Sequence, residues 1–127
     1  MLYIWIAIGS ALGGMARYFS SGMAAAILGP SFPWGTMLVN VVGSFVIGLV
    51  AAMTGPDSRY IVSMEIRQFV MTGFLGGFTT FSSFSLQTLN LMQDGEWLYA
   101  SANVMVTVAL CLAVVWLGYV AGQAFNG

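Results

Sequence analysis

Between Gly76 and Ser85 the chain reads GGFTTFSSFS. Thr79, Thr80, Ser82, Ser83 and Ser85 each carry a hydroxyl that can donate and accept a hydrogen bond. Phe81 and Phe84 alternate with them at i, i+3 spacing, so both rings leave the same side of a helix. Two more polar sets recur at intervals of four: Asn40 with Ser44, and Asn103 with Thr107 and Cys111. Residues four apart share a helix face. None of these groups is a carboxylate. Cation and proton paths in membranes usually use Asp, Glu or His. Hydroxyl and amide N–H donors instead suit an anion. An aromatic edge is positive and its face negative. Phe81 and Phe84 turned edge-on would favour a small anion without a full countercharge, which would hold the ion too tightly to let it pass.

Plainer readings stand beside these. A single Ser or Thr satisfies itself on its own helix backbone, and two Phe at helical spacing are usually core filler. Three aligned polar faces, with hydroxyls interleaved among rings, favour a solute path. Arg17, toward the end of the first apolar run, either adds positive potential to that path or snorkels to the membrane interface. Gly76 and Gly77 also carry two readings. A helix broken near Gly76–Thr80 frees carbonyls that coordinate a cation such as Na⁺, and such backbone survives at membrane depth only when buried or lining a site. An unbroken helix would use the same glycines at a packing contact.

The elements that must position these residues follow from composition. The 127 residues are 59% hydrophobic and 6% charged, far from the roughly 25% charged of soluble domains. The charges are Arg17, Asp57, Arg59, Glu65, Arg67, Asp94 and Glu96, with no Lys and no His. They leave uncharged runs at 1–16, 18–56, 68–93 and 97–127, the second interrupted by GPSFP at 29–33. A spanning helix needs roughly 20 apolar residues. The expectation is an all-α membrane protein, a single domain with four transmembrane helices at about 2–24, 34–54, 67–92 and 97–122. The first residues, MLYIWIAIGS, lack a basic start and are read as a span rather than a cleaved signal. The lone Cys111 excludes a disulfide framework within the chain, and a net charge of −1 argues against nucleic-acid binding.

Four spans put both termini and the 2–3 connection on one side. Arg59 and Arg67 in that connection oppose only Arg17, a bias too small to fix an orientation by the positive-inside rule. Insertion both ways round and a single orientation set by another factor are both open. Small residues at four-residue spacing, Ala7 and Ala11, Gly9 and Gly13, Gly73 and Gly77, Gly118 and Gly122, allow close helix packing. Four helices leave little interior for a pore, so a homo-oligomer is expected.

GGMARY at 13–18, GTMLVNVVGS at 35–44 and TGFLGGFTTFSSFS at 72–85 resemble the signatures of the Fluc (CrcB) fluoride channels, and the resemblance covers essentially the whole chain. It implies a fluoride-selective, passive channel in the bacterial cytoplasmic (inner) membrane that protects against fluoride toxicity. It implies an antiparallel dual-topology homodimer with two pores, each lined by both subunits. It implies a Na⁺ ion at the dimer centre, held by backbone carbonyls that match Gly76 and Thr79. By the same matching, Phe81 and Phe84 are the pore phenylalanines, Asn40 the pore asparagine and Arg17 the arginine after the first span's glycines. Thr80, Ser82 and Ser83 fall within the third-span motif. In the fourth span the family often places hydroxyls, and the matching positions here are Thr107 and Cys111. A thiol is a weak donor, so Asn103, one turn earlier, is an alternative contact.

Two other classes share part of this pattern. A small multidrug exporter also has four short spans, but it needs a membrane-embedded carboxylate, and the first span has none. A non-transporting structural subunit explains the small-residue spacing but not the polar faces. An enzyme is not expected, because no nucleophile–base pair or metal-ligand cluster is present.

Overall fold

The computed structural model describes residues 1–55 and 61–126. Asp57 and Arg59, the latter one of the two arginines weighed against Arg17, lie outside the described residues. Among the described residues, all regular structure is helical. Helix α1 (Leu2–Leu28) stops at Gly29, whose φ of 91° is a conformation that side chains disfavour. Pro30 follows, and Pro33 sits at the N-cap of α2 (Trp34–Met53), where a missing N–H is tolerated. After the 2–3 connection, Ser63 caps α3 (Met64–Gln68) by accepting from the Ile66 N–H at 3.2 Å. The chain continues through a π-helical segment (Phe69–Leu75) into the short α4 (Gly76–Phe78). Thr79 and Thr80 are then extended, with φ/ψ of −87°/160° and −156°/114°. Helix α5 (Phe81–Gln93) follows, and a turn at Gly95 (φ 79°) leads into α6 (Trp97–Asn126).

Among the described residues, three stretches are long and apolar enough to cross a membrane: Trp34–Met53, Met64–Gln93 and Trp97–Phe125. α1 is long enough at 27 residues but falls outside that set. Arg17, Ser10, Ser20, Ser21 and four glycines dilute its apolar content. The expectation of four apolar spans therefore meets four long helical stretches, three of which qualify by composition.

Packing follows two pairings. α1 runs against the π-helical segment and α4, and α2 runs against α6. Both seams depend on glycines at backbone-to-backbone contact. A Cβ on Gly9 would stand 2.5 Å from the Phe69 carbonyl oxygen, and one on Gly77 would stand 2.6 Å from that of Ser10. On the other seam, Cβ atoms on Gly48 and Gly118 would collide with the carbonyls of Val115 and Phe45. Such contacts maximise dispersion where lipid offers no hydrophobic drive for helix association.

The interior is small and partly polar. Val39 and Asn103 are its largest fully buried side chains, joined by Thr36, Asn40, Thr88 and Thr107. Large apolar residues face outward instead, among them Met105, Leu112 and Trp116 on α6. A helix apolar on all sides with its bulk outward is suited to lipid or a partner rather than to water. The chain is a membrane protein.

Candidate functional site

The extended Thr79–Thr80 dipeptide leaves helix-end groups that need partners, and most can be accounted for. The Leu75 carbonyl still accepts the Thr79 N–H at 3.0 Å, and the Thr79 hydroxyl at 2.9 Å. The Thr80 N–H, which a continuous helix would direct to the Gly76 carbonyl, donates instead to Asn40 Oδ1 at 2.7 Å. The Gly77 carbonyl accepts from Arg17 Nε at 3.1 Å. The Thr80 carbonyl accepts from Asn40 Nδ2 at 3.0 Å. The carbonyls of Gly76, Phe78 and Thr79 have no such partner among the described residues.

α5 begins with a proper cap. Thr80 Oγ1 accepts the Ser83 N–H at 3.2 Å and lies 3.4 Å from Ser82 Oγ. A helix N-terminus carries partial positive charge from its unpaired N–H groups. That end, Phe81–Ser83, therefore lies beside α4's freed carbonyls, so donors and acceptors sit two residues apart.

A cavity of about 360 Å³ opens at this junction. Asn40, Gly43, Ser44, Gly76, Thr79, Thr80, Phe81, Phe84, Thr107 and Cys111 are on its wall. The candidate residues from three separate segments thus meet on one surface. The Phe81 and Phe84 ring centroids are 5.5 Å apart with planes tilted by 46°. Their exposures differ sharply: Phe84 is 7% exposed and Phe81 76%. Phe84 is anchored inside this chain. Phe81 stands at the cavity's open side.

A chain of hydrogen bonds fixes the α5–α6 wall. Thr88 Oγ1 donates to the Phe84 carbonyl at 2.8 Å. Asn103 Nδ2 donates to Thr88 Oγ1 at 2.9 Å, and Thr107 Oγ1 donates to Asn103 Oδ1 at 3.2 Å. The Thr107 proton is thereby committed to Asn103, which is not on the cavity wall. Thr107 therefore presents oxygen lone pairs to it, not a proton. Asn103, 1% exposed, is not on the cavity wall and acts on it through Thr107.

Other expected residues fall elsewhere. Arg17 lines a separate open concavity on α1 with Tyr18 and Phe19, and its Nε is engaged by Gly77. Ser82 and Ser83 are not on the cavity wall. Ser85 donates to the Phe81 carbonyl at 3.0 Å, the self-satisfied arrangement open to any helical serine. Cys111, a doubtful contact by its chemistry, is on the wall. Thr88 and Gly43 were not singled out by sequence reasoning. The only sequence sign of Thr88 is its place at i+4 from Phe84 and i+7 from Phe81. Gly43 is needed because a Cβ there would overlap Thr79 Cγ2.

Among the described residues, no group of three or more His, Cys, Asp or Glu side chains could hold a metal ion. A cation at this site would meet neutral oxygens only, which suits a hard monovalent ion bound by backbone carbonyls. Gly76 and Thr79, both on the cavity wall, offer backbone carbonyls of that kind.

Comparison with known proteins gives one consistent answer. Residues 4–119 match the family described as CrcB-like protein, Camphor Resistance (CrcB). A protein of Opitutus terrae is 56% identical over 125 residues, covering 98% of this chain and 95% of its own. One of Methylocella silvestris is 55% identical over 126 residues, covering 99% and 96%. One of Rhodospirillum rubrum is 52% identical over 126 residues, covering 99% and 98%. All three carry the name fluoride-specific ion channel FluC. With a family match over most of its length and relatives this similar end to end, the chain belongs to the CrcB-like family.

Proposed function

We propose that this chain is the subunit of a fluoride-selective channel that lets fluoride leave the cell passively across the bacterial cytoplasmic membrane, protecting it from fluoride toxicity. The carrying observation is the meeting of Phe81, Phe84, Asn40 and Thr107 on one cavity, in a chain whose relatives at 52–56% identity are named fluoride-specific channels. Those relatives are ion channels by name, not enzymes.

The chemistry is a matter of replacing water. Fluoride is small and strongly hydrated, so each water it loses needs a donor or a positive edge in its place. The Asn40 amide has a second Nδ2 hydrogen beyond the one given to Thr80. The Phe81 and Phe84 ring edges add weak positive contacts. The N-terminal end of α5 adds a favourable potential. Thr107 contributes as a donor only if its bond to Asn103 is exchanged for one to the ion.

The working unit in this reading is an antiparallel, dual-topology homodimer of four-span subunits, with α1 as the first span and the third span a helix discontinuous at Thr79–Thr80. The exposure of Phe81 supports this. One chain leaves the cavity open at that ring, and a second copy would close it. Na⁺ is the cation proposed for the Gly76 and Thr79 carbonyls. It would supply positive charge where α4's end leaves acceptors unpaired.

The test is fluoride release from liposomes holding the purified protein, followed with a fluoride electrode while an ionophore clamps the voltage. Rapid fluoride release with negligible chloride release is expected. No release from protein shown to be folded and dimeric would reject the channel reading.

A further inference from the structure

Asn40 engages Thr80 in a way that a mere pore donor would not. Its Oδ1 accepts the Thr80 N–H at 2.7 Å and its Nδ2 donates to the Thr80 carbonyl at 3.0 Å. Both polar groups of one residue's backbone, 40 positions away, are thus paired by a single side chain, as a neighbouring strand would pair them. Asn40 is 9% exposed and Thr80 half-buried, so the pairing is partly shielded from competing water. Three residues on, Gly43 gives the Thr79 side chain its space. α2 therefore holds the extended dipeptide at two adjacent points, one by hydrogen bonds and one by an absent side chain.

The consequence concerns Gly76. Thr80's N–H is half-buried on the cavity wall and needs a partner. Without Asn40, the protein acceptor that helical continuity assigns to it is the Gly76 carbonyl. Closing that bond would rebuild the helix, turn the Gly76 carbonyl along the helix axis and occupy one of the two lone pairs that a cation would otherwise meet. We propose that Asn40 is a positioning residue for the cation site: it keeps the Gly76 carbonyl available by taking up the Thr80 peptide. Contact with a passing anion is a second use of the same amide, through the remaining Nδ2 hydrogen. The inference rests on the cation site of the proposed function, and on the channel reading only for its efflux measurement.

The experiment compares the full-length protein in detergent with Asn40→Ala and Asn40→Asp. Three quantities are read: the backbone carbon chemical shifts of Thr80 by NMR, the Na⁺ concentration giving half-saturation by ²³Na NMR, and fluoride efflux from liposomes. In the wild type, Thr80 should show shifts of extended backbone. Asn40→Ala should move them toward helical values and raise the Na⁺ half-saturation at least about tenfold, the equivalent of losing one or two net hydrogen bonds. Asn40→Asp keeps an acceptor for the Thr80 N–H. It should keep the extended shifts while losing efflux, because a negative charge faces the anion path. Unchanged Thr80 shifts and Na⁺ half-saturation in Asn40→Ala would overturn the proposal. Should Asn40→Ala fail to fold, Asn40→Asp carries the test, and helical Thr80 shifts there would overturn it. A wild-type protein that binds Na⁺ but passes no fluoride would remove the channel reading and leave the Thr80 result standing.

Discussion

Arg17 Nε donates to the Gly77 carbonyl oxygen at 3.1 Å, joining the middle of α1 to the last turn of α4. A cation at a helix C-terminus is favoured by the carbonyl dipoles there. Here it also caps a carbonyl whose helical partner is lost where the chain turns extended. This position separates Arg17 from the cavity of Phe81 and Phe84 and gives it a structural task first.

Arg17→Leu should therefore lower stability by about 1–3 kcal/mol, the range for leaving a shielded acceptor unpaired. Arg17→Lys retains a charge but not the planar donor set and should fall between the two. Thermal unfolding of the detergent-solubilised protein reads both. Equal melting temperatures for all three proteins would show that the contact contributes nothing.

The ring pair should divide into two phenotypes. Phe84 is buried within the chain and Phe81 exposed at the cavity mouth. Phe84→Ile should slow fluoride efflux and also destabilise the subunit by about 1–3 kcal/mol. Phe81→Ile should slow efflux with the stability of the single subunit unchanged. Normal efflux from both variants would reject the aromatic lining.

How much of this was legible in the chain depended on whether the signal was local. Gly29, Pro30 and Pro33 mark the α1–α2 connection because φ restriction and a missing N–H act on neighbouring residues. Asn103 and Thr107 stand out because i, i+4 spacing places them on one face, and their hydrogen bond follows from it. Asn40 could be read as polar and inward, but not as the partner of a peptide 40 residues away. That pairing depends on how α2 crosses the third helical stretch. The direction of Thr107's proton was equally hidden, since it is set by Thr88 and the Phe84 carbonyl. The π-helical course of Phe69–Leu75 has no composition signal at all. Arg17's attachment to Gly77 likewise required the α1–α4 seam to be known.

The proton chain through Asn103 gives a prediction of its own. Thr107→Val keeps the shape but removes the donor to Asn103 Oδ1, leaving a fully buried acceptor unpaired at a cost of about 1–3 kcal/mol. Thr107→Ser retains the hydroxyl and should restore both stability and efflux to near wild type. Melting temperature and efflux together separate the outcomes. A Val variant as stable as the Ser variant would mean that the Thr107–Asn103 bond is not made in the membrane.

Two adjacent glycines test the seams most directly. A Cβ on Gly13 would collide with the carbonyl oxygen of Phe74, whereas one on Gly14 meets nothing within 4 Å. The first obstacle is backbone and cannot swing aside. Gly13→Ala should therefore force α1 off the π-helical segment and cost about 1–3 kcal/mol, as overpacking does. Gly14→Ala adds helix propensity without a clash and should be neutral or stabilising by up to about 1 kcal/mol. Thermal unfolding of both variants under one detergent condition decides the point. A Gly13→Ala protein as stable as Gly14→Ala would mean that α1 stands further from Phe74 than the close seam requires, and the Arg17–Gly77 contact would then have to be lost with it.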